Sequence, residues 1–377
     1  MRFSINKKEI AEKLQSLISI IPTKSNMMIL SNFKIEADAA SSQLTITATD
    51  LNITTIVKIA ANVLETGSVL VSAKLSEILN ALPDSEVKFS IKEDNLFVEC
   101  EKSEYEIRYV ESSLFPEIPT IQDAQEYTID SDNFKKLIHN TIFCASTDTM
   151  QSVCNGVFLR IEEGLVTMAA TDTKRIGEAK LTTPISCGEP YDIVIPTRAL
   201  TFLDKAINAD TEELKIKYDE HRIIFTLPNI TLISNRFEGR YPNYTVAFRH
   251  PPVHEFMIDK NKLRDAIRRV SLLSEDEDKL IKVYLYANEL RIESVHSDRG
   301  TAKESVSPYK YEGPEDLFCI NSKFILSILS VIETEEVIFK YISNEQAFWM
   351  LNNCTFENIE IRFLVMPMRL DRNRYYT

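Results

Sequence analysis

The order of predicted helices and strands in this chain repeats three times, with a period of about 125 residues. The repeat is marked by the prolines that close the blocks and by the starts of each block's second helix: Pro116, Pro242, Pro367, and Ser72, Pro196, Asn321. This period is longer than that of solenoid repeats, so each unit is predicted to be a domain with its own core.

Each unit is predicted to contain two helices and several strands. Apolar residues at helical spacing predict a first helix at 5–21, and a second helix at 72–82 has Ser72 as N-cap and Pro83 as its end. The later helices are predicted at 131–145, 196–207, 260–273 and 321–332. Alternating runs predict strands at 33–37, 43–49, 87–91, 96–100, 105–110, 165–171, 214–218, 222–227, 231–235, 290–295, 336–342, 347–351 and 359–365.

The predicted fold class is α+β, because strands separated by short turns pair antiparallel and the helices pack against them. Polar, proline-bearing stretches near Gln125 and Pro252 suggest the boundaries. The three tandem domains are therefore predicted at 1–124, 125–252 and 253–377, the last ending in an extension at 371–377.

The charge of the chain is unevenly distributed. Its 43 basic and 56 acidic residues give a net charge of −13, which alone argues against a nucleic-acid binder. The six predicted helices nevertheless hold fourteen Lys/Arg and six Asp/Glu, a net +8 that leaves −21 elsewhere. Helix propensity is an alternative explanation, but it favours Glu about as well as Lys. Basic helices on an acidic protein indicate a surface that faces phosphates.

No motif predicts catalysis, a cofactor or a metal site. Walker, H-E-x-x-H and G-x-S-x-G motifs are absent, and His250 and His254 are separated by two prolines. The six cysteines lie far apart, which predicts reduced and mostly buried thiols: Cys100, Cys144, Cys154, Cys187, Cys319 and Cys354. There is no signal-peptide pattern and no apolar run of membrane-spanning length, so a non-enzymatic cytoplasmic protein is expected.

Three aspartates could pass for catalytic carboxylates. Asp50, Asp172 and Asp298 each follow a predicted strand at the same point of a repeat. That recurrence favours a turn or cap role instead.

Four stretches, at equivalent places in the three units, resemble the bacterial DNA sliding clamp, the β subunit of the replicative DNA polymerase. They are LTITATD at 44–50, ATDTKRI at 170–176, EGRYPNY at 238–244 and LVMPMRL at 364–370. The match covers the chain through Leu370. The resemblance implies a processivity factor that slides on duplex DNA without sequence specificity.

Helix geometry favours a ring of two copies. If helices spaced by ~9 Å line a hole, six leave an opening of ~6 Å and twelve leave ~23 Å, whereas duplex DNA is roughly 20 Å wide. The resemblance likewise implies a head-to-tail homodimer of six domains with helices lining the hole. Tyr105, Leu272 and Leu273 would belong to the joint between copies, although two leucines at a helix end could equally be internal core.

The expected DNA-facing residues come from the basic helices and, by resemblance, from one loop. They are Lys7, Lys13, Lys24, Lys74, Lys135, Arg198, Lys205, Lys262, Arg268 and Lys323. Lys and Arg position a protein on phosphates without reading bases. Any single member could be a solvated surface residue.

The resemblance also implies a peptide-binding groove between domains 2 and 3. Its positions are Cys154, Thr171, Thr173, Lys174, Arg175, Ile176, Pro242, Val246, Ala247, Phe324, Leu364, Met366, Pro367, Met368 and Arg369. The implied partners are the polymerase III alpha subunit, the clamp-loader delta subunit and other proteins with a clamp-binding motif. Cys154 and Val246 depart from the family pattern, as does the tail beyond Leu370, which puts the peptide preference in doubt.

Two other classes of function compete with this interpretation. A binding module unrelated to DNA would keep the triplicated fold but would need another reason for its basic helices. An enzyme of three α+β domains would need convergent ionisable groups, and the sequence offers none.

Overall fold

The computed structural model describes residues 1–22, 24–121, 125–148, 150, 152–274, 279–295, 300–307, 310–352 and 358–368. Two compact units divide the chain. The first comprises Met1–Phe134 and Arg198–Arg236, and the second comprises Lys135–Thr197 and Phe237–Thr377. The second sequence repeat therefore contributes to both units.

Six α-helices in the described part of the chain lie where helices are predicted: α1 Lys7–Ile18, α2 Lys74–Ala81, α3 Ser131–Thr141, α4 Thr197–Ala206, α5 Lys260–Val270 and α6 Ser322–Val331. The predictions begin too early for α1, because Asn6 ends a strand and its side chain caps the helix at Lys8 N–H. The α2 prediction is likewise early, since Ala73 takes the cap position there and Ser72 lies outside. The ends predicted for α3 and α5 are 3-10 turns, Ile142–Cys144 and Ser271–Leu273.

The strands of the first repeat are β1 Arg2–Asn6, β2 Asn32–Asp38, β3 Gln43–Thr49, β4 Ile53–Ala60, β5 Asn62–Glu65, β6 Gly67–Ser72, β7 Glu86–Lys92, β8 Asn95–Cys100, β9 Ser103–Arg108 and β10 Val110–Glu111. Those of the second are β11 Glu126–Asp130, β12 Gly156–Glu162, β13 Leu165–Thr171, β14 Arg175–Thr182, β15 Tyr191–Pro196, β16 Glu213–Tyr218, β17 Arg222–Leu227 and β18 Ile230–Asn235. Those of the third are β19 His254–Asp259, β20 Leu280–Tyr286, β21 Glu289–Ser294, β22 Lys303–Val306, β23 Lys310–Tyr311, β24 Asp316–Asn321, β25 Glu336–Tyr341, β26 Phe348–Asn352 and β27 Ile359–Val365.

The first unit contains two antiparallel sheets. One has the order β5-β1-β7-β8-β9, and the other β10-β6-β2-β3-β4-β18-β17-β16-β11. Because β4 pairs with β18, the first and second repeats share one continuous sheet. The apolar face of α1 is buried through Ile10, Leu14 and Leu17.

The second unit is built the same way. Its sheets have the orders β15-β12-β13-β14-β27-β26-β25-β19-β23 and β22-β21-β20-β24, again with antiparallel pairing. Here β14 of the second repeat pairs with β27 of the third, so this joint is also a continuous sheet. The α+β class and the antiparallel sheets are thus confirmed.

The end of α3 approaches β14 at a glycine. A Cβ on Gly177 would lie 2.9 Å from the Asn140 carbonyl oxygen and 3.1 Å from the Cys144 sulfur. Only a residue without a side chain permits this close packing of helix on strand.

Candidate functional site

The candidate groove starts at the turn between β13 and β14. The Asp172 carboxylate accepts hydrogen bonds from the backbone N–H groups of Lys174 (3.0 Å) and Arg175 (2.9 Å). The Thr171 hydroxyl donates to the Arg175 carbonyl and accepts from the Thr173 N–H. Thr173 has a φ of +71°, a conformation uncommon outside glycine, which the surrounding hydrogen bonds hold in place.

The equivalent turn of the first repeat has the same design. The Asp50 carboxylate accepts from the N–H groups of Asn52 and Ile53, and Leu51 has a φ of +75°. The turn interpretation of Asp50 and Asp172 is therefore confirmed, while Asp298 lies outside the described residues.

Arg175 has its side-chain donors directed into the protein. Its guanidinium donates to Asp172 (3.0 Å), to the Ser327 hydroxyl (2.6 Å) and to the Phe143 carbonyl (2.7 Å). The guanidinium carbon also lies 4.7 Å from the centre of the Phe324 ring. Arg175 thus holds α6 against the turn, and is not a freely extended cation on the groove rim.

The joint between β14 and β27 contributes buried positions to the candidate groove, here called its floor. Ile176 lies directly opposite Leu364, and both side chains are buried. The pairing continues past the end of β27, where the Met366 N–H donates to the Lys174 carbonyl at 2.8 Å. The Met366 side chain, 40% exposed, is thereby fixed beside the floor.

The predicted groove residues separate by depth into floor and rim. Cys154, Thr171, Ile176 and Leu364 are buried, Arg175, Ala247, Phe324, Pro367 and Met368 are half-buried, and Thr173, Lys174, Pro242, Val246 and Met366 are exposed. Arg369 lies outside the described residues. Met368 packs against the rest of its own repeat: its N–H donates to the Cys319 carbonyl and its side chain lies against Leu280 and Val295.

Tyr241 is a further member of this site that the resemblance did not single out. Its hydroxyl accepts from the Thr171 N–H at 3.1 Å, and its ring stacks on Phe158 at 5.5 Å. Burial raises the pKa of Tyr241 and of the Cys154 thiol, so both stay neutral near pH 7.

The predicted DNA-facing residues, on the helices and at Lys24 in the loop after α1, are all at least partly accessible. Lys7, Lys13 and Lys135 are half-buried, and Lys24, Lys74, Arg198, Lys205, Lys262, Arg268 and Lys323 are exposed. Within the first unit, Lys13 of α1 and Lys205 of α4 line one groove of about 350 Å³.

Arg198 has a role that the sequence did not predict. Its guanidinium donates to the carbonyls of Ser19 and Ile20 just after α1 and to the Asp50 carboxylate. Cations stabilise the carbonyl-rich C-terminal end of a helix. Arg198 therefore connects α4 to α1 and to the Asp50 turn.

The residues predicted for the joint between copies lie at or near free sheet edges. In the described part of the chain, β9 ends one sheet and β22 ends another. Tyr105 is half-buried on β9, while Leu272, after α5, is 72% exposed and Leu273 is half-buried.

Five of the predicted buried thiols are buried in the structure: Cys100, Cys144, Cys154, Cys187 and Cys319. Cys354 lies outside the described residues. No group of three potential ligands among the described residues is placed to hold a metal ion. Within those same ranges, no helix has the length and apolarity to cross a membrane.

Comparison with known proteins defines the class. The "Beta sliding clamp" of Bacillus subtilis is 25% identical over 98% of this chain and 100% of its own length, and that of Staphylococcus aureus is 26% identical over 92% and 94%. A DnaN sliding clamp structure from Pseudomonas aeruginosa bound to griselimycin has a TM-score of 0.91 at 24% identity, covering 98% of this chain and 100% of that one. The Bacillus subtilis clamp structure gives 0.89, also at 24% identity, over 98% and 99%. These similarities define a sliding-clamp fold.

The family models cover most of the chain. The N-terminal, central and C-terminal domains of the DNA polymerase III beta subunit match residues 1–119, 128–243 and 252–369. The chain belongs to the DNA polymerase III beta subunit family, and its three tandem domains are clamp domains.

Proposed function

We propose that this chain is the processivity clamp of DNA replication, a ring of two copies that encircles duplex DNA and tethers a polymerase to it. The role is mechanical and non-catalytic, and its place is the cytoplasm, where replication occurs in bacteria. The single observation that carries the proposal is that successive repeats join by pairing equivalent edge strands into one continuous sheet.

Both joints within the chain follow one pattern. β4 of the first repeat pairs with β18, the last strand of the second repeat's meander, and β14 of the second pairs with β27, which ends the third. The strands equivalent to these in the outer repeats are β22 and β9, and both are free edges in the described part of the chain. Edge strands expose unpaired backbone groups that another chain can pair with. The same joint between β22 and the β9 of a second copy closes a six-domain ring.

The repeat also supplies a register for that joint. Lys303 has the place in β22 that Ile56 has in β4, and Glu104 has the place in β9 that Thr231 has in β18. Ile56 and Thr231 are directly paired. Lys303 would therefore lie opposite Glu104 of the second copy, and both side chains are exposed.

The apolar part of the joint has a counterpart as well. Phe143, in the 3-10 turn after α3, lies 5.9 Å from Phe363 of β27. Leu272 occupies the equivalent turn after α5, and Tyr105 the equivalent place on β9. Leu272 of one copy would thus pack on Tyr105 of the second, which gives an exposed leucine a partner.

The helices and the groove complete the proposal. We infer that the residues facing the phosphates are Lys7, Lys13, Lys24, Lys74, Lys135, Lys205, Lys262, Arg268 and Lys323. Arg198 serves mainly the joint between the first two repeats.

The apolar floor and rim around Ile176, Leu364 and Met366 suit a short apolar peptide, and methionine adapts to different ligands. The polymerase alpha subunit, the clamp-loader delta subunit and other proteins with clamp-binding motifs are the proposed occupants. The boundaries proposed are 1–124, 125–252 and 253–377.

Self-association tests the ring directly. Sedimentation of the wild-type chain should give a dimer, and Leu272→Asp should raise the dissociation constant at least tenfold because a charge enters an apolar contact. Leu64→Asp is the matched control, since Leu64 is 58% exposed on β5, at the other edge of the sheet that contains β9. A monomeric wild type, or equal effects of both substitutions, would contradict the proposed joint. Primer extension with the polymerase should shorten in parallel with the loss of dimer.

A further inference from the structure

The sheet face that forms the groove floor continues into a buried ion pair. Two residues beyond the floor pair Ile176 and Leu364, Glu178 lies directly opposite Arg362, so their side chains share that face. The Arg362 Nε donates to the Glu178 carboxylate at 2.8 Å, and Glu178 is almost fully buried. A buried charge pair of this kind is costly to disturb on either side.

Two aromatic rings pack against the same Arg362 guanidinium. Its carbon lies 4.5 Å from the centre of the Phe248 ring and 6.0 Å from that of Trp349. Phe248 and Trp349 also meet edge to face at 5.5 Å. Trp349 is directly opposite Leu364 across β26 and β27, which places the stack beside the groove floor.

A 3-10 segment, Tyr244–Phe248, contacts this ion pair at both of its ends. At one end Tyr244 lies beside the Glu178 carboxylate, and burial together with that carboxylate raises the pKa of Tyr244. At the other end Phe248 lies on Arg362. The predicted groove residues Val246 and Ala247 lie between the two anchors. We call Tyr244–Phe248 the wall segment.

We propose that Arg362 and Phe248 are positioning residues for the partner groove, and that occupation of the groove is transmitted through the wall segment to Trp349. The proposal rests on the proposed function, because it takes the surface beside Val246 as a peptide site. A ligand that presses on the wall segment moves Phe248, which changes the ring and charge environment of Trp349. Arg362 touches no ligand in this account.

The sequence supplies its own reporter, because Trp349 is the single tryptophan of the chain. Griselimycin, present in the Pseudomonas aeruginosa clamp structure, serves as the probe. Titration should change the tryptophan emission with the same dissociation constant that calorimetry gives. Phe248→Ala should weaken griselimycin about tenfold and remove most of the emission change, and Arg362→Lys should weaken it about fivefold.

Arg291→Lys is the matched control. The Arg291 guanidinium stacks on Tyr284 at 4.4 Å and pairs with Glu293 at 3.0 Å, but it belongs to the sheet β22-β21-β20-β24. It should leave griselimycin affinity and tryptophan emission unchanged. Binding with silent emission and unchanged affinity in the Phe248 and Arg362 variants would overturn the inference and leave the clamp proposal standing. Absence of griselimycin binding to the wild type would count against the groove itself.

Discussion

Two aspartates in equivalent turns bind arginines that come from different elements. The Asp50 carboxylate binds Arg198 from α4, and the Asp172 carboxylate binds Arg175 from β14. Each arginine also donates to a backbone carbonyl just beyond the first helix of a repeat. Arg198 binds the Ser19 carbonyl after α1, and Arg175 binds the Phe143 carbonyl after α3. The repeat has thus kept the bridge and changed the residue that supplies it.

Arg198→Met should therefore destabilise the first unit. We expect a loss of about 1–2 kcal/mol in the free energy of unfolding, because three backbone or carboxylate acceptors lose a charged donor that is partly exposed. Lys205→Met, on the same helix, should cost less than about 0.5 kcal/mol. Chemical denaturation measures both.

For DNA binding, the larger effect should come from Lys205→Met and the smaller from Arg198→Met. Lys205→Met should lower the slope of log affinity against log salt by about one, and Arg198→Met should change it little. Equal slopes for both variants would return Arg198 to the phosphate-facing set.

At alkaline pH, the buried thiol of Cys319 should make the free energy of unfolding depend on pH. Burial raises the pKa of its thiol from 9.0 to about 11. The unfolded chain then releases this proton first, so the stability it contributes is complete below pH 9 and is lost between pH 9 and 11. The loss should approach about 2–3 kcal/mol.

Unfolding of the wild type and of Cys319→Ala, compared at pH 8 and at pH 10.5, isolates this contribution from the other titrating groups. The difference between the two proteins should shrink at the higher pH. A constant difference would show that the thiol does not titrate differently in the folded protein.

At the scale of elements, close contact between α3 and β14 depends on Gly177. Gly177→Ala should destabilise the second unit by about 1–3 kcal/mol, because its Cβ meets a backbone carbonyl and a buried sulfur. Gly188→Ala is the matched control, since nothing lies within 4 Å of its added Cβ. Thermal unfolding should separate the two, and similar melting temperatures would contradict the packing described here.

Elements with local signals could be predicted from the sequence. Gln43–Thr49, Arg222–Leu227 and Ile359–Val365 match their predicted bounds, because each alternates between buried and accessible faces or follows a clear turn. β4 and β14 were not predicted. They are internal strands of joined sheets, and the burial of Glu178 in β14 depends on Arg362, which is 184 residues away. Local periodicity carries no information about such a partner.

The candidate site was predictable only in part for the same reason. The Asp172 turn follows from recurrence and turn chemistry, whereas the groove positions came from family resemblance. The Ser327 hydroxyl and Phe143 carbonyl that fix Arg175 belong to distant helices and have no sequence signature. Nor could the pairing of Phe248 with Arg362 be predicted.

At the scale of the whole molecule, reversing one charge at the proposed joint should weaken the dimer, and reversing both should restore it. Glu104→Lys places two lysines opposite each other at each of two joints, and should weaken the dimer about tenfold or more. Lys303→Glu should do the same, although it also loses a 3.7 Å ion pair with Glu293. The double variant should recover most of the wild-type dissociation constant in sedimentation. Additive losses in the double variant would contradict the inferred register.

The measurement that tests the central claim most directly distinguishes encirclement from surface binding. The protein is loaded onto a nicked circular plasmid with a clamp loader, free protein is removed, and half of the sample is cut once with a restriction enzyme. A ring held by topology should remain on circles and slide off linear DNA. Equal retention on circular and linear DNA would mean ordinary surface binding, and would contradict the account of this chain as a closed clamp.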